Sequence, residues 1–451
     1  MLQRIHPIDT TTDEVRVADV TTPIPFKEGL DYSCPARGTW TIAHTSMLIP
    51  HSYQIFVCPA ACLRGVVLSA EEFGGLERFS MVTVEERDFS TGEMEPIFIN
   101  GVSEIINRLE EKPPCVLVYS SCVQHFTGCD LGYVFKELRR RFPDIDIIEC
   151  FMYPTMRKTV MPPDELMRVQ LYSALEPAPH DPKAVNIIGN DFAFSQKNEL
   201  YGMLRDGGYV IRDLPAMSEY GEYKAMAESS FNIYTWPSPS RSAAKLERRL
   251  GQKAVSLPVT WLYDEIREEI QEACRIFDLP LPDLDALQEE AEHALRRAWA
   301  AMGYSRESPS SGMAVQIDAA GTSRPFGLAQ LLLTHGFRVT AVYSDAVMPG
   351  DEGALKWLQE NYPDLPMRAI VHYQARFRER TDDSRDPGGV LAIGQKAAYF
   401  SGTRHFVNLI QNGGLWGFRG IVQLAELMEE AAREEKPVEK IITVKAWGCH
   451  G

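Results

Sequence analysis

The sequence predicts an α/β protein of three Rossmann-like domains, each built on a parallel sheet flanked by helices. Three observations carry that reading. Short apolar runs such as Val116-Leu117-Val118-Tyr119 have the continuous hydrophobicity of strands buried on both faces. They alternate with helical stretches, as from Leu131 to Arg141, where Leu131, Val134, Phe135 and Leu138 recur at helical spacing. At 451 residues the chain is also too long for one core, and the segments 177–182 and 305–312, rich in Pro or Ser, punctuate it.

Residues 1 to about 30 are polar and Thr-rich and are expected to wrap over the surface. The first domain, 1–180, carries strands at 53–57, 115–119 and 145–150, with helices at 101–111 and 131–141. The second of these helices ends on Arg139-Arg140-Arg141, which suits the negative end of a helix dipole. The middle domain, 181–305, has strands at 185–189, 209–211 and 231–234 and a helix at 198–206. Its last part, 261–302, reads as helix broken near Leu279-Pro280-Leu281-Pro282, a bridging element. The third domain, 306–451, has strands at 313–317 and 338–343 and others near Ile370 and Ala398. Its helices are expected at 328–334, 352–361 and 421–434. The segment Gly321 to Gly327 reads first as a strand-to-helix turn, and in second place as an anion-binding loop ahead of a helix N-terminus.

Composition narrows the function classes. A net charge of −16 argues against a nucleic-acid or anionic-membrane surface, which needs clustered Lys and Arg. No run approaches the ~18 apolar residues of a membrane span. The first 20 residues hold no apolar run, so no signal peptide and a cytoplasmic location are expected. Stable disulfides are rare in that compartment, so nine cysteines point to metal or redox use.

Seven of those cysteines (Cys34, Cys58, Cys62, Cys115, Cys122, Cys129, Cys150) fall in the first third of the chain. Cys58 and Cys62 follow the strand at 53–57, and Cys122 follows the one at 115–119. Soft thiolates at the carboxyl ends of parallel strands suit an iron–sulfur cluster. Cys34, Cys62 and Cys122 are the first candidates as ligands, with Cys58 and Cys129 behind them. Cys115, inside a strand, and Cys274, on a helix, read as buried apolar cysteines. Zinc competes, but Cys58-x-x-x-Cys62 has no second pair at finger spacing. His125 reads as a surface or hydrogen-bonded histidine, and Asp130, Glu149 and Asp191 as solvated or capping acids. The Cys449-His450 tail is given no role.

The order and context of these cysteines resemble the nitrogenase component 1 superfamily. That group holds the dinitrogenase subunits, their cofactor-assembly scaffold and the dark-operative protochlorophyllide and chlorophyllide reductases. Its members carry one cysteine in an early loop, one in a His-Gly-x-x-Gly-Cys-like turn after a strand, and one opening a Cys-x-x-x-x-x-Gly-Asp-Asp-like stretch. Cys34, Cys62 (in Phe56 to Cys62) and Cys122 (in Cys122 to Asp130) match these positions, and 185–191 resembles the strand that opens the family's second domain. Two departures add thiols: Cys58 stands at the first Gly of the turn, and Cys129 at the first Asp of the stretch. The Cys and His that hold the large dinitrogenase cofactor are matched by Trp236 and a position near Val407, with His405 off register.

The resemblance implies a nitrogenase-like oxidoreductase catalytic component that takes electrons from a separate ATP-hydrolysing iron–sulfur reductase. It implies an iron–sulfur cluster ([4Fe–4S] or larger) near a subunit interface, held by Cys34, Cys62 and Cys122, with Cys58 or Cys129 as extra ligands. A homodimer or a homologous second subunit would complete the ligand set, and an inter-domain crevice would take the substrate. Dinitrogen reduction on the large cofactor is not expected. No Gly-x-x-x-x-Gly-Lys-Ser/Thr occurs anywhere, so any ATP is bound by another protein. The alternatives are a scaffold for metallocofactor assembly and a small-ligand binding module without a cluster.

Overall fold

The computed structural model describes residues 12–437 apart from 28, 30, 33, 35, 37–41, 73, 154, 156–161, 309–310, 379–385 and 387. The Cys449-His450 tail lies outside the described residues. In chain order the strands are β1 (Glu14–Arg16), β2 (Ser52–Cys58), β3 (Phe79–Thr83), β4 (Cys115–Ser121), β5 (Asp146–Met152), β6 (Asp181–Ile187) and β7 (Val210–Asp213). They continue with β8 (Ser229–Tyr234), β9 (Lys253–Ser256), β10 (Ala314–Asp318), β11 (Val339–Tyr343), β12 (Pro366–Arg368), β13 (Val390–Ile393) and β14 (His405–Val407). They form three sheets, ordered β3-β2-β4-β5, β7-β6-β8-β9 and β1-β12-β11-β10-β13-β14. Every pairing is parallel except β1 with β12. The three parallel-dominated sheets flanked by helices are the α/β architecture expected from the alternation of apolar runs and helical spacing.

The chain divides into two compact units. One holds the six-stranded sheet, from the described residues up to 39, Lys197–Leu200, and the described residues from Val259 onward. The other holds both four-stranded sheets, from the described residues between 40 and 196 and Tyr201–Pro258. Within this second unit alternate residues of β2 and β4 serve different cores, as the two-residue repeat of a strand requires. Phe56, Cys58, Cys115, Leu117 and Tyr119 face a core shared with Leu214, Tyr223, Met226 and Ala243. Ile55, Val57, Val116 and Val118 face the helices Met94–Arg108 and Leu131–Arg141 through Phe98, Ile106, Val134 and Phe135. All seven residues of β4 are buried, which is why it reads as an unbroken apolar run.

Two expectations fail. The N-terminal stretch does more than wrap the surface: β1 completes the edge of the six-stranded sheet, with Glu14 opposite Arg368 and their side chains 2.7 Å apart. A three-residue strand with one half-buried position carries too little pattern to be seen in advance. Ala398 lies in the helix Gln395–Ser401, not in a strand. That helix starts because the Asp318 carboxylate, at the end of β10, accepts from the Lys396 and Ala397 N–H groups at 2.8 Å each. Gly394 makes the close approach, with φ at 105° and no room for a Cβ beside that carboxylate.

The Gly321 to Gly327 segment is a structural turn. The helix Pro325–Thr334 receives its anion from within, since the buried Asp351 carboxylate accepts from Phe326 N–H at 2.9 Å and Gly327 N–H at 2.8 Å. The anion-binding alternative for this loop is set aside on that contact.

Buried carboxyls give this fold a pH dependence. Asp213, the last residue of β7, accepts from Phe194 N–H, and burial pushes its carboxyl up to about 7. An unfolded aspartate titrates near ~4. Between those values the native state holds a proton that the unfolded chain lacks, so stability is lost as pH rises through the window. Asp213→Asn is expected to flatten the fall of the urea midpoint from about pH 4 to pH 8. Some slope remains, because burial raises Glu199 and Asp351 to about 7 as well.

Candidate functional site

The four-stranded sheet β3-β2-β4-β5 sets the site. The chain runs outward from β2 to β3 on one side, then returns to β4 on the other. The gap between the carboxyl ends of β2 and β4 is therefore the topological switch point, where open α/β sheets form a crevice. Val57 pairs with Ser120, so the two strands end level. Cys62 closes the short turn Ala60–Cys62 just beyond β2, and Cys122 opens the helix Cys122–Phe126 just beyond β4. Two of the predicted cysteines thus flank the β2/β4 switch point.

Gln124 ties this edge together. Its side-chain oxygen accepts from Ser121 N–H at 2.8 Å and Ser121 O–H at 2.7 Å, and its nitrogen donates to Val57 O at 3.1 Å. A buried amide thus bridges the ends of both strands and fixes where Cys122 begins. This glutamine escaped the sequence reading, although Ser-x-x-Gln before a short helix was the signal for it.

The thiols differ in environment. Cys62 is exposed; Cys122 is half-buried, with its Sγ 3.6 Å from Thr155 Oγ1. Cys58 is the last residue of β2 and turns into the core; burial first, then the nearby Cys62, pushes its thiol up to about 12. Cys129 is half-buried, and burial together with Glu95 pushes it up to about 12. Protein groups alone therefore hold both as neutral thiols at neutral pH. Cys34 lies in the other unit, buried among Ala341, Tyr343, Ile370, Ala375 and Phe400. Cys115 and Cys274 are buried, as their positions implied. Among the described residues no three His, Cys, Asp or Glu side chains come together as a metal site.

The acids resolve differently from one another. Asp130 caps the helix Leu131–Arg141 by accepting from Tyr133 N–H at 2.9 Å, and His125 is exposed. Asp191 is not solvated. It forms a two-bond ion pair with Arg168, at 2.8 Å for each bond, with both side chains out of solvent. Trp236 stands over this pair, the Arg168 guanidinium 5.0 Å from its ring and its indole N–H donating to Gly189 O at 3.1 Å. His405 places Nδ1 2.8 Å from Ala431 O, and Val407 is buried at the end of β14. Neither position offers a thiolate or an open imidazole to a large cofactor.

A cleft of roughly 330 Å³, lined by Met47, His51, Arg78 and Met217, sits at the amino end of β2, opposite the cysteine edge. Its cation is already engaged, since Arg78 donates to the Ser52 and Ile49 carbonyls at 2.9 Å each.

The family model for nitrogenase component 1 type oxidoreductases matches residues 50–432. The chain belongs to that family. Its fold is that of two solved nitrogenase structures, titled "Nitrogenase Cp1 at pH 6.5" and "Nitrogenase Cp1 at pH 5". The first is 14% identical, covers 90% of this chain and 94% of its own, and has a TM-score of 0.63. The second is 13% identical, covers 93% of both chains, and has a TM-score of 0.59. Among curated proteins none matches. At Trp236 the indole N–H is hydrogen-bonded to the backbone, and Val407 is buried. No helix among the described residues is long and apolar enough to cross a membrane.

Proposed function

We propose that this chain is the catalytic component of a nitrogenase-like reductase, taking electrons through an iron–sulfur cluster from a separate ATP-hydrolysing iron–sulfur protein. The supporting observation is the pair Cys62 and Cys122 on either side of the β2/β4 switch point, in a chain whose family match spans that edge. An accessible thiol and a half-buried one at a level strand edge suit ligands shared with a second chain. A homodimer or a homologous subunit would supply the rest of the set. Cys34 is the third ligand carried over from the family pattern, and Cys58 and Cys129 would join only if iron displaced their protons. The cluster, [4Fe–4S] or larger, would supply one-electron transfer. The chain would contribute the thiolates, the burial that tunes them, and a fixed edge through Gln124.

The test is anaerobic purification of the full chain, with iron, acid-labile sulfide and EPR after dithionite reduction. Iron and sulfide in near-equal amounts with a reduced-cluster signal are expected. Stoichiometric zinc without iron overturns the reading.

A further inference from the structure

The edge strands of the three sheets are guarded against pairing with another chain, with one exception. β5 carries Asp146 and Glu149, β7 carries Arg212 and Asp213, β9 carries Lys253, and β1 carries Glu14 and Arg16. β14 is three residues long and carries His405. Charge and short length are the usual means of blunting an open ladder of N–H and C=O groups. β3 lacks both. It reads Phe79-Ser80-Met81-Val82-Thr83, with no charge and no proline, and among the described residues it pairs with β2 alone.

Contacts on both faces hold this strand extended. Val82 lies against Gly101 of the helix Met94–Arg108, where an added Cβ would stand 2.6 Å from the valine side chain. On the opposite face Phe79 stacks on Phe56, with ring centres 5.0 Å apart. Neither contact uses the outer edge. In the strand and the segments beside it, Leu76, Met81 and Phe89 are 43, 41 and 37% exposed. Charge then points to the partner. Before the strand stand Glu77 and Arg78, one charge of each sign. After it come Glu85, Glu86, Arg87 and Asp88, three carboxylates and one guanidinium. Parallel pairing of two copies would set acidic end against acidic end. Antiparallel pairing sets each acidic end against a balanced one and brings the neutral strands together. In a chain of net charge −16, a neutral ladder is where two copies meet with little repulsion. A two-fold axis through Met81 makes the contact isologous, with the same residues on both sides.

We propose that β3 pairs antiparallel with β3 of a second copy of this chain, joining two four-stranded sheets into one of eight strands. This contact is separate from the cysteine site. The two-fold axis sends the carboxyl ends of the two sheets in opposite directions, so the Cys62 and Cys122 edges of the two copies do not meet across it. The pairing therefore needs no cluster.

Sedimentation equilibrium on the full chain carrying Cys62→Ala, which takes a shared cluster out of the comparison, is expected to show a dimer. Hydrogen exchange of the amides at 79–83 slows as concentration rises. Adding Met81→Lys, at an exposed position, sets two ammonium groups opposite one another and weakens dimerisation about tenfold or more. Met81→Thr in the same background keeps a neutral strand former there and dimerises as before. Circular dichroism equal to the parent's shows that both variants are folded. A Cys62→Ala chain that stays monomeric, a Met81→Lys dimer as tight as the one it is compared with, or exchange at 79–83 that ignores concentration would each overturn the proposal.

Discussion

Asp191→Ala is expected to destabilise the unit built on the two four-stranded sheets by about 3–5 kcal/mol, because it strands a buried guanidinium. Arg168 and Asp191 meet in two hydrogen bonds of 2.8 Å, with side-chain exposures of 1% and 0%. At a solvated surface such a pair contributes ~0–1 kcal/mol and its loss would be hard to detect. Burial changes the size of the effect, since removing one charge leaves the other out of water with no compensation. Thr45 could not replace the carboxylate, because its hydroxyl lies 3.5 Å from Asp191 and carries no charge. The double variant Arg168→Met/Asp191→Leu is expected to recover most of the loss, since paired charges and well-packed apolar side chains are often equivalent in stability. Urea unfolding followed by tryptophan emission measures both. Trp236 gives the transition a local signal, because its ring lies against Arg168. An Asp191→Ala midpoint equal to the parent's would mean that the ion pair is solvated.

The same pair marks where sequence reading stops. The helices 131–141 and 352–361 could be bounded from the chain alone, because their apolar spacing and termini are local features. The strand at 115–119 was legible as a continuous apolar run, and the one at 231–234 as an apolar run broken only by Asn232. What failed was non-local. The helix at Ala398 depends on a carboxylate from Asp318, far earlier in the chain, and β1 exists only because β12 offers an open edge. Asp191 follows a strand like many solvated acids, and only its encounter with Arg168 on the buried face of Pro163–Leu171 changes its meaning. At the candidate site the cysteines after β2 and β4 were legible as thiols beyond strand ends. Their common place at the β2/β4 switch point depends on strand order, which no window of residues contains.

Cys62→Ala and Cys122→Ala are each expected to abolish stoichiometric iron, whereas Cys115→Ala and Cys150→Ala should retain it. The contrast follows from surroundings. Cys115 and Cys150 are fully buried in the apolar core, where burial raises both thiols and no cluster can enter without unpacking Phe56 and Tyr119. Their replacement removes only a small apolar group, with a modest effect on stability of about 1 kcal/mol. Cys62 and Cys122 stand at the strand ends, and on the proposed reading a missing thiolate there removes a bond to iron. Cys58→Ala separates two accounts. Its thiol, held near 12 in the chain alone, must lose a proton to bind iron, so retained iron in this variant assigns it to the core. Cys34→Ala decides the third ligand, because its side chain is packed against Tyr343 and Phe400. Loss of iron there would make Cys34 the third ligand. Full iron retention confines the chain's ligands to the β2/β4 edge, and iron retained in all four of the Cys34, Cys58, Cys62 and Cys122 variants would sink the cysteine-ligated cluster altogether.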